Sequence, residues 1–375
     1  MNNTTSKKAQ TLKISFAALD PYVERPIVSP KETVTHNGER VSWGERDAYP
    51  DYLLSLYDNV TDLAAIVNGC VDYAAGDDVI FEPAVGGKVN KAGDSVLDFF
   101  RNLWRDLWIY GGFAFQVVRD YNGNIAELYH IDLRFLRTNK DNTVFYYSED
   151  WTSNSAAKKM LIYPAYMKLD WSSLDEEQRE KAVSSIVFVK NGSRKVYPVP
   201  VYAAAVEACE AERSIDEYHL NAVRNGFVAS AVVNFNNGVP DDDTKEEIEE
   251  SFTEKFSGQS NAGRILFSWN PNKDSATTIE YPKVEDFGDK YNALAKNSRQ
   301  RIFTAFRANP NLFGIPTDSL GFSSEEYDAA FKLFNRTAIK PAQKLVVETM
   351  EQVYGRPVLT VIPFTLDGAG EGSVR

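Results

Sequence analysis

Three consecutive carboxylates, Asp241-Asp242-Asp243, are the residues whose type and spacing most suggest reaction chemistry. Hard oxygen ligands of this kind suit Mg²⁺, and a metal held there would make a hydrolase such as a nuclease. The same residues also open a helical pattern, where acidic side chains offset the positive end of the helix dipole. Other candidates are weaker. His36, His130 and His219 lie far apart, in no spacing that gathers them around zinc. Cys70 and Cys209 each sit in an Ala/Val-rich helical stretch without CxxC spacing, which reads as two buried thiols in a reduced compartment. Gly111-Gly112 is not followed by the Lys-Ser/Thr of a phosphate loop, and the chain has no G-x-S-x-G elbow. No constellation supports catalysis, so the chain reads as a non-enzyme that needs no metal or other cofactor.

Charge is more informative. Lys and Arg number 41 against 53 Asp and Glu, for a net charge of −12. A protein that coats nucleic acid by neutralising phosphates is basic overall. This chain meets a polyanion only through local basic patches, and one stands out. Lys290, Lys296, Arg299, Arg301 and Arg307 occur with no acidic residue among them from 290 to 307. At helical periodicity Lys296, Arg299 and Arg307 share one face, while Tyr291, Leu294, Ile302, Ala305 and Phe306 share the opposite one. The reverse holds in residues 241–256, which carry eight acidic and two basic side chains. That run is either a solvated helix face or an acidic contact surface for a partner protein.

The elements that must position these residues follow from periodicity and punctuation. The 375 residues suffice for two or three domains, and 43% hydrophobic with 13% aromatic content allows a real core. No apolar run approaches the roughly 20 residues of a membrane span, and MNNTTSKKAQTLKISF lacks the apolar core of a signal peptide. The protein is therefore expected to be cytosolic when made, with no membrane partner. Residues 1–45 are polar, broken by Pro21, Pro26 and Pro30, and read as an extended arm. Helices are expected from Tyr49, from Asp62 to Gly76, and over 94–110 with Leu97, Phe100, Trp104, Leu107 and Trp108 as an apolar stripe. The Asn122-Gly123 turn joins a hairpin of 113–120 with 125–130, and a second strand pair is expected near 134–138 and 143–147. A long helix, 201–225, ends at Gly226. Residues 227–282 read strand, helix, strand, strand. A second long helix, 289–308, leads into a Pro/Gly/Asn-rich loop, 309–322. Ser323 with Glu326 forms a capping box for a helix that runs to about Tyr354, bent by Pro341. Loops of that length between firm helices are usually functional or mobile.

The order of these elements resembles the portal proteins of tailed bacteriophages of the HK97-like type. The resemblance is carried by the helix pair after Arg46-Asp47-Ala48-Tyr49-Pro50, by Tyr110-Gly111-Gly112-Phe113-Ala114-Phe115 with Arg119-Asp120-Tyr121-Asn122-Gly123-Asn124-Ile125, and by Arg224-Asn225-Gly226-Phe227. It continues through Ser260-Asn261-Ala262-Gly263-Arg264, Arg301 to Ile315, and Phe331 to Pro341, so it covers most of residues 46–355. Asn309-Pro310-Asn311 departs from the family's usual start of the loop. The resemblance implies an α+β portal fold: an N-terminal arm (1–45), a wing (46–198), stem helices (199–226 and 285–308), a small α/β clip (227–284), and a tunnel loop (309–322). A wing or tunnel helix (323–356) kinked at Pro341 and a C-terminal strand and tail (357–375) complete it, with a short or absent crown. It further implies a ring, usually a dodecamer, at one capsid vertex of the virion, assembled in the host cytoplasm. Double-stranded DNA passes through the ring without sequence-specific contacts during packaging and ejection. The implied partners are further copies of the chain, the terminase large subunit, a head–tail adaptor and the major capsid protein. On this mapping Lys296, Arg299 and Arg307 are candidates to face DNA, Asn311, Thr317, Asp318 and Ser319 belong to the tunnel loop, and Glu246, Glu250 and Glu254 face a partner from the clip. A different head–tail connector protein and the metal-dependent nuclease are the alternatives.

Overall fold

The computed structural model describes residues 27–35, 39–151, 160–224, 232–235, 240–245, 266–269, 287–315 and 324–365. In chain order the strands are β1 (Thr33–Val34), β2 (Val41–Ser42), β3 (Asp78–Phe81), β4 (Gly112–Arg119), β5 (Ile125–Ile131), β6 (Leu136–Thr138), β7 (Val144–Tyr147), β8 (Leu161–Pro164), β9 (Ser184–Lys190), β10 (Val232–Phe235), β11 (Leu266–Trp269) and β12 (Leu359–Ile362). The helices are α1 (Tyr49–Asn59), α2 (Thr61–Ala75), α3 (Val96–Tyr110), α4 (Glu176–Ala182), α5 (Val206–Arg224), α6 (Phe287–Phe306), α7 (Ser324–Phe334) and α8 (Lys340–Tyr354). The chain divides into two compact units, Ile27–Ser214 with Lys290–Arg375, and Met1–Pro26 with Ile215–Asp289.

The larger unit is built on α1, α2 and α3. Pro50 opens α1, where its fixed φ and missing N–H cost nothing. Leu53 and Leu56 of α1 and Leu63, Ile66, Val67 and Cys70 of α2 are fully buried, the spacing of an apolar helix face. Ser95 caps α3 by accepting the Asp98 N–H at 3.0 Å. Gly111 closes it in the left-handed region at φ 85°, and a Cβ there would sit 2.1 Å from the Val199 carbonyl oxygen. The buried stripe of α3 runs through Val96, Phe99, Phe100, Leu103, Trp104 and Leu107. Leu97, expected in that stripe, is 41% exposed because Val96 and Phe99 take the core side of the first turn. Burial raises the titration of both thiols, that of Cys209 to about 12.

Two antiparallel sheets flank these helices. One has the order β5–β4–β9, the other β1–β2–β6–β7–β8. The predicted hairpin is β4–β5, its turn tied by Asp120 accepting the Asn122 and Asn124 N–H groups at 2.9 and 2.8 Å. The last part of the expected arm belongs to the other sheet: Val41 pairs with Thr138, and Trp43 is buried with its ring stacked 4.6 Å from Tyr197. Behind this junction Arg137 is fully buried. Its Nε donates to Asp47 Oδ1 at 2.9 Å and its other nitrogens to the carbonyls of Asp47, Arg134 and Leu136. Asp47 adopts φ 60° and also accepts the Trp43 N–H at 2.6 Å. Finally β12 pairs antiparallel with β3, Leu359 opposite Phe81 and Ile362 opposite Asp78.

In the smaller unit β10 and β11 pair in parallel, Val232 opposite Leu266 and Phe235 opposite Trp269. Parallel neighbours need a crossover, and the helical residues 242–245 lie between them in sequence. Asp241 caps that helix, its Oδ1 accepting the Thr244 N–H at 2.9 Å and the Thr244 hydroxyl at 2.8 Å. Among the described residues no group of three His, Cys, Asp or Glu is arranged to hold a metal ion. Glu246, Glu250, Glu254, Gly226 and the strand expected at 277–281 lie outside the described residues.

Candidate functional site

The expected basic helix is α6. Its buried side is Ile302, Phe303 and Phe306, and Lys296, Arg299, Arg301 and Arg307 are exposed. Leu294, read with the apolar face, is 45% exposed. The three basic candidates are placed differently. Arg299 donates from Nε to Asp62 Oδ2 at 2.8 Å, with Asp62 almost wholly buried and Arg299 half-exposed. Asp62 sits in the first turn of α2, and its own N–H donates to Glu212 Oε1 of α5 at 3.2 Å. Arg299 thus ties α6 to α2 beside α5, and its remaining guanidinium edge faces solvent. The hydrogen bond to Asp62 holds the guanidinium further up its titration range. Lys296, one turn earlier, is exposed.

Arg307 is not a continuation of this row. It lies past the helix end at φ 55°, its N–H donating to the Thr304 carbonyl at 3.0 Å while Ala308 N–H reaches back to Phe303 at 3.0 Å. These two bonds form a Schellman cap, in which the left-handed residue is usually glycine. An arginine there redirects the chain and costs about 1 kcal/mol of backbone strain.

The loop that follows is rooted firmly. Asn309 accepts the Asn311 N–H at 3.1 Å and starts a 3₁₀ turn, Pro310–Phe313, closed by Gly314 in the left-handed region. The Leu312 carbonyl accepts the Tyr73 hydroxyl at 2.7 Å. Around the same tyrosine ring stand Phe313 at 6.0 Å, Phe331 at 5.3 Å, Phe334 at 6.3 Å and Phe364 at 5.0 Å, all edge-on. Edge-to-face packing of this kind adds to the apolar burial. Phe313 lies in the first turn of the loop, and Phe331 and Phe334 follow the loop on α7, so both roots meet on Tyr73 of α2. Gly69, one turn earlier on α2, makes room for them: a Cβ there would lie 2.6 Å from the Phe313 ring. Thr317, Asp318, Ser319 and Ser323 lie outside the described residues.

Beyond α7 the helix does not simply bend at Pro341. It widens into a π turn, Asn335–Ile339, in which the Lys340 N–H reaches the Asn335 carbonyl, and α8 then starts with Pro341 in its first turn. The extra residue moves the missing proline N–H to a position that tolerates it. Asp62, Tyr73 and Gly69 were not nominated from the sequence. Tyr73 reads only as a core position of its helix, and nothing local couples it to residues more than two hundred positions away.

Comparison with known proteins accords with this arrangement. The phage portal protein family model matches residues 90–367. The chain belongs to the phage portal protein family. Its function is that of a portal protein, the ring component at a capsid vertex. No curated protein matches. Among solved structures, a chain from the virion of a native gene transfer agent particle is 16% identical over 91% of this chain and 87% of that chain, with a TM-score of 0.53. A chain from the neck of an empty gene transfer agent particle is also 16% identical, over 91% and 88%, with a TM-score of 0.51. Both share the mixed α+β fold. An HK97-family portal protein from Corynebacterium diphtheriae is 11% identical over 80% and 90%, with a TM-score of 0.48.

Proposed function

We propose that copies of this chain close into a ring, usually a dodecamer, that conducts double-stranded DNA into and out of the capsid. The ring also docks the terminase large subunit, then a head–tail adaptor, against the major capsid protein, and it assembles in the host cytoplasm. The observation that carries this reading is the family match over 90–367, which spans the basic helix, the loop it feeds and the Phe313, Phe331 and Phe334 rings of both loop roots. On this reading residues 46–198 act as the wing and α5 and α6 as the stem. The unit around β10 and β11 is the clip, and its acidic run with Glu246, Glu250 and Glu254 meets a partner. Asn311, Thr317, Asp318 and Ser319 belong to the loop that narrows the channel.

The electrostatics suit a conduit. A polyanion that must slide is best repelled by the bulk of the wall and touched weakly by a few screened cations. Contact with bases would hinder sliding. In a ring, Lys296 and the outer edge of Arg299 repeat as circles of positive charge on an acidic protein. Purified protein imaged in negative stain is expected to show rings with a central hole. Particles carrying Lys296→Glu are expected to package shortened genomes. A protein that stays monomeric at every concentration, or normal packaging by the variant, overturns the corresponding part of the reading.

A further inference from the structure

Two polar loops of the larger unit are stitched together by their side chains, and the seam concentrates positive charge. One is the turn between β6 and β7, residues 139–142. The other, 190–196, follows from the last residue of β9. Lys190 Nζ donates to Asn142 Oδ1 at 2.9 Å and to the Lys195 carbonyl at 2.7 Å, and Asn142 Nδ2 donates to the Val196 carbonyl at 3.2 Å. The joined loops carry Lys140, Lys190, Arg194 and Lys195 against one carboxylate, Asp141, in a chain of net charge −12. Lys140, Arg194 and Lys195 are exposed. Glu32, which also meets this seam, is already engaged: its two oxygens accept the Val196 and Tyr197 N–H groups at 3.2 and 2.9 Å. Among the described residues none of the four cations is ion-paired with a carboxylate.

Lys190 holds the seam and also marks what it lacks. It is partly buried, and both oxygens it meets are neutral. An ammonium has three donors, so one remains for an anion. Burial pulls its titration below the ordinary lysine range, and Glu32 opposes only part of that shift. A cation taken from water without a counter-charge is costly until an anion joins it. The composition of the loops says which anion. Protein interfaces are built on an apolar and aromatic centre and are poor in lysine. Here the cations alternate with Asn139, Asn142, Asn191 and Ser193, and Val196, the one aliphatic residue of the two loops, is not exposed. Lys and Arg interleaved with Asn and Ser are the groups that hold the phosphate oxygens of a nucleic-acid backbone.

We propose that the joined loops are a second DNA contact, separate from the α6 cations, which takes the duplex backbone through Lys140, Lys190, Arg194 and Lys195 without reading bases. It holds whether or not copies close into a ring. The test follows the anisotropy of a short labelled duplex of arbitrary sequence, titrated with the full-length chain at a series of salt concentrations. The variant Lys140→Gln/Arg194→Gln/Lys195→Gln changes only exposed side chains, so its thermal midpoint is expected to match that of the wild type. Its affinity is expected to fall at least about tenfold, and the slope of log K against log salt to become shallower by about two to three. Lys296→Gln is expected to keep that part of the slope. A wild-type chain that does not bind the duplex overturns the proposal, as does a triple variant with unaltered affinity and slope. Competition by polyglutamate as strong as that by unlabelled duplex also overturns it, because the loops would then be receiving carboxylates. A loss of binding confined to Lys296→Gln sinks this contact and leaves the conduit reading standing, whereas the absence of rings in negative stain leaves this contact untouched.

Discussion

Arg137 shows how much of this protein rests on a side chain that looks ordinary in sequence. Its guanidinium is fully buried and spends its donors on Asp47 and three carbonyls. Arg137→Leu removes one of the two cations on the buried Asp47 carboxylate, which keeps its ion pair with Arg40 and the Trp43 N–H, and is expected to cost about 1–3 kcal/mol, read as a lower denaturant midpoint at unchanged slope. A second buried pair responds to pH. His130 Nε2 lies 2.8 Å from Asp106 Oδ2. Burial raises the Asp106 carboxyl to about 6, although His130 opposes the shift. For His130 burial acts downward, but the Asp106 charge and hydrogen bond prevail and hold it above its ordinary value. Both groups bind a proton more tightly folded than unfolded. Their contribution is therefore full at low pH, and the histidine part is lost as pH rises beyond about 6.5. Wild-type protein should lose stability relative to the Asp106→Asn/His130→Gln double variant between about pH 6 and pH 8, measured by urea unfolding at each pH. Neither pair was legible in the chain. Arg137 reads as a strand residue and His130 as an isolated histidine, since their partners lie 90 and 24 positions away.

Secondary structure was far more readable, because its signals are local. The Asn-Gly turn and the Gly111 stop each act within a few residues, and the helix and strands they bound are where they were expected. The π turn was not, since Pro341 announces an interruption without saying how the backbone absorbs it. The loop roots depend on packing between α2, the 3₁₀ turn and α7, which no local pattern reports. Tyr73→Phe keeps the aromatic contacts and removes the hydroxyl that donates to Leu312 and is hydrogen-bonded to Tyr327. It is expected to cost about 1–2 kcal/mol and to speed amide exchange over 310–313. Gly69→Ala sets two effects against each other. Alanine favours the helix by roughly 1 kcal/mol, but its methyl displaces the Phe313 ring, so the net change is expected to be destabilising, with faster exchange at the same residues. Arg299→Gln leaves Asp62 buried without its cation and should cost about 1–2 kcal/mol, discounted because the arginine is half-exposed. Lys296→Gln, at an exposed position, should leave the unfolding midpoint nearly unchanged. If the two variants unfold alike, the Asp62 pair contributes nothing.

As a whole the molecule combines a net charge of −12 with a basic helix that leads into an anchored loop. Sequence order alone was enough to place it near the portal family, whereas the tie of that helix to α2 needed three dimensions. The pairing of β12 with β3 has a consequence for how the molecule is made. Residues 78–81 emerge from the ribosome long before their partner, 359–362. Until then one edge of the first-made domain stays open, and unpaired edges invite the wrong neighbour. Ending translation before Leu359 should convert soluble protein into aggregates, whereas ending it after Thr365 should leave it soluble.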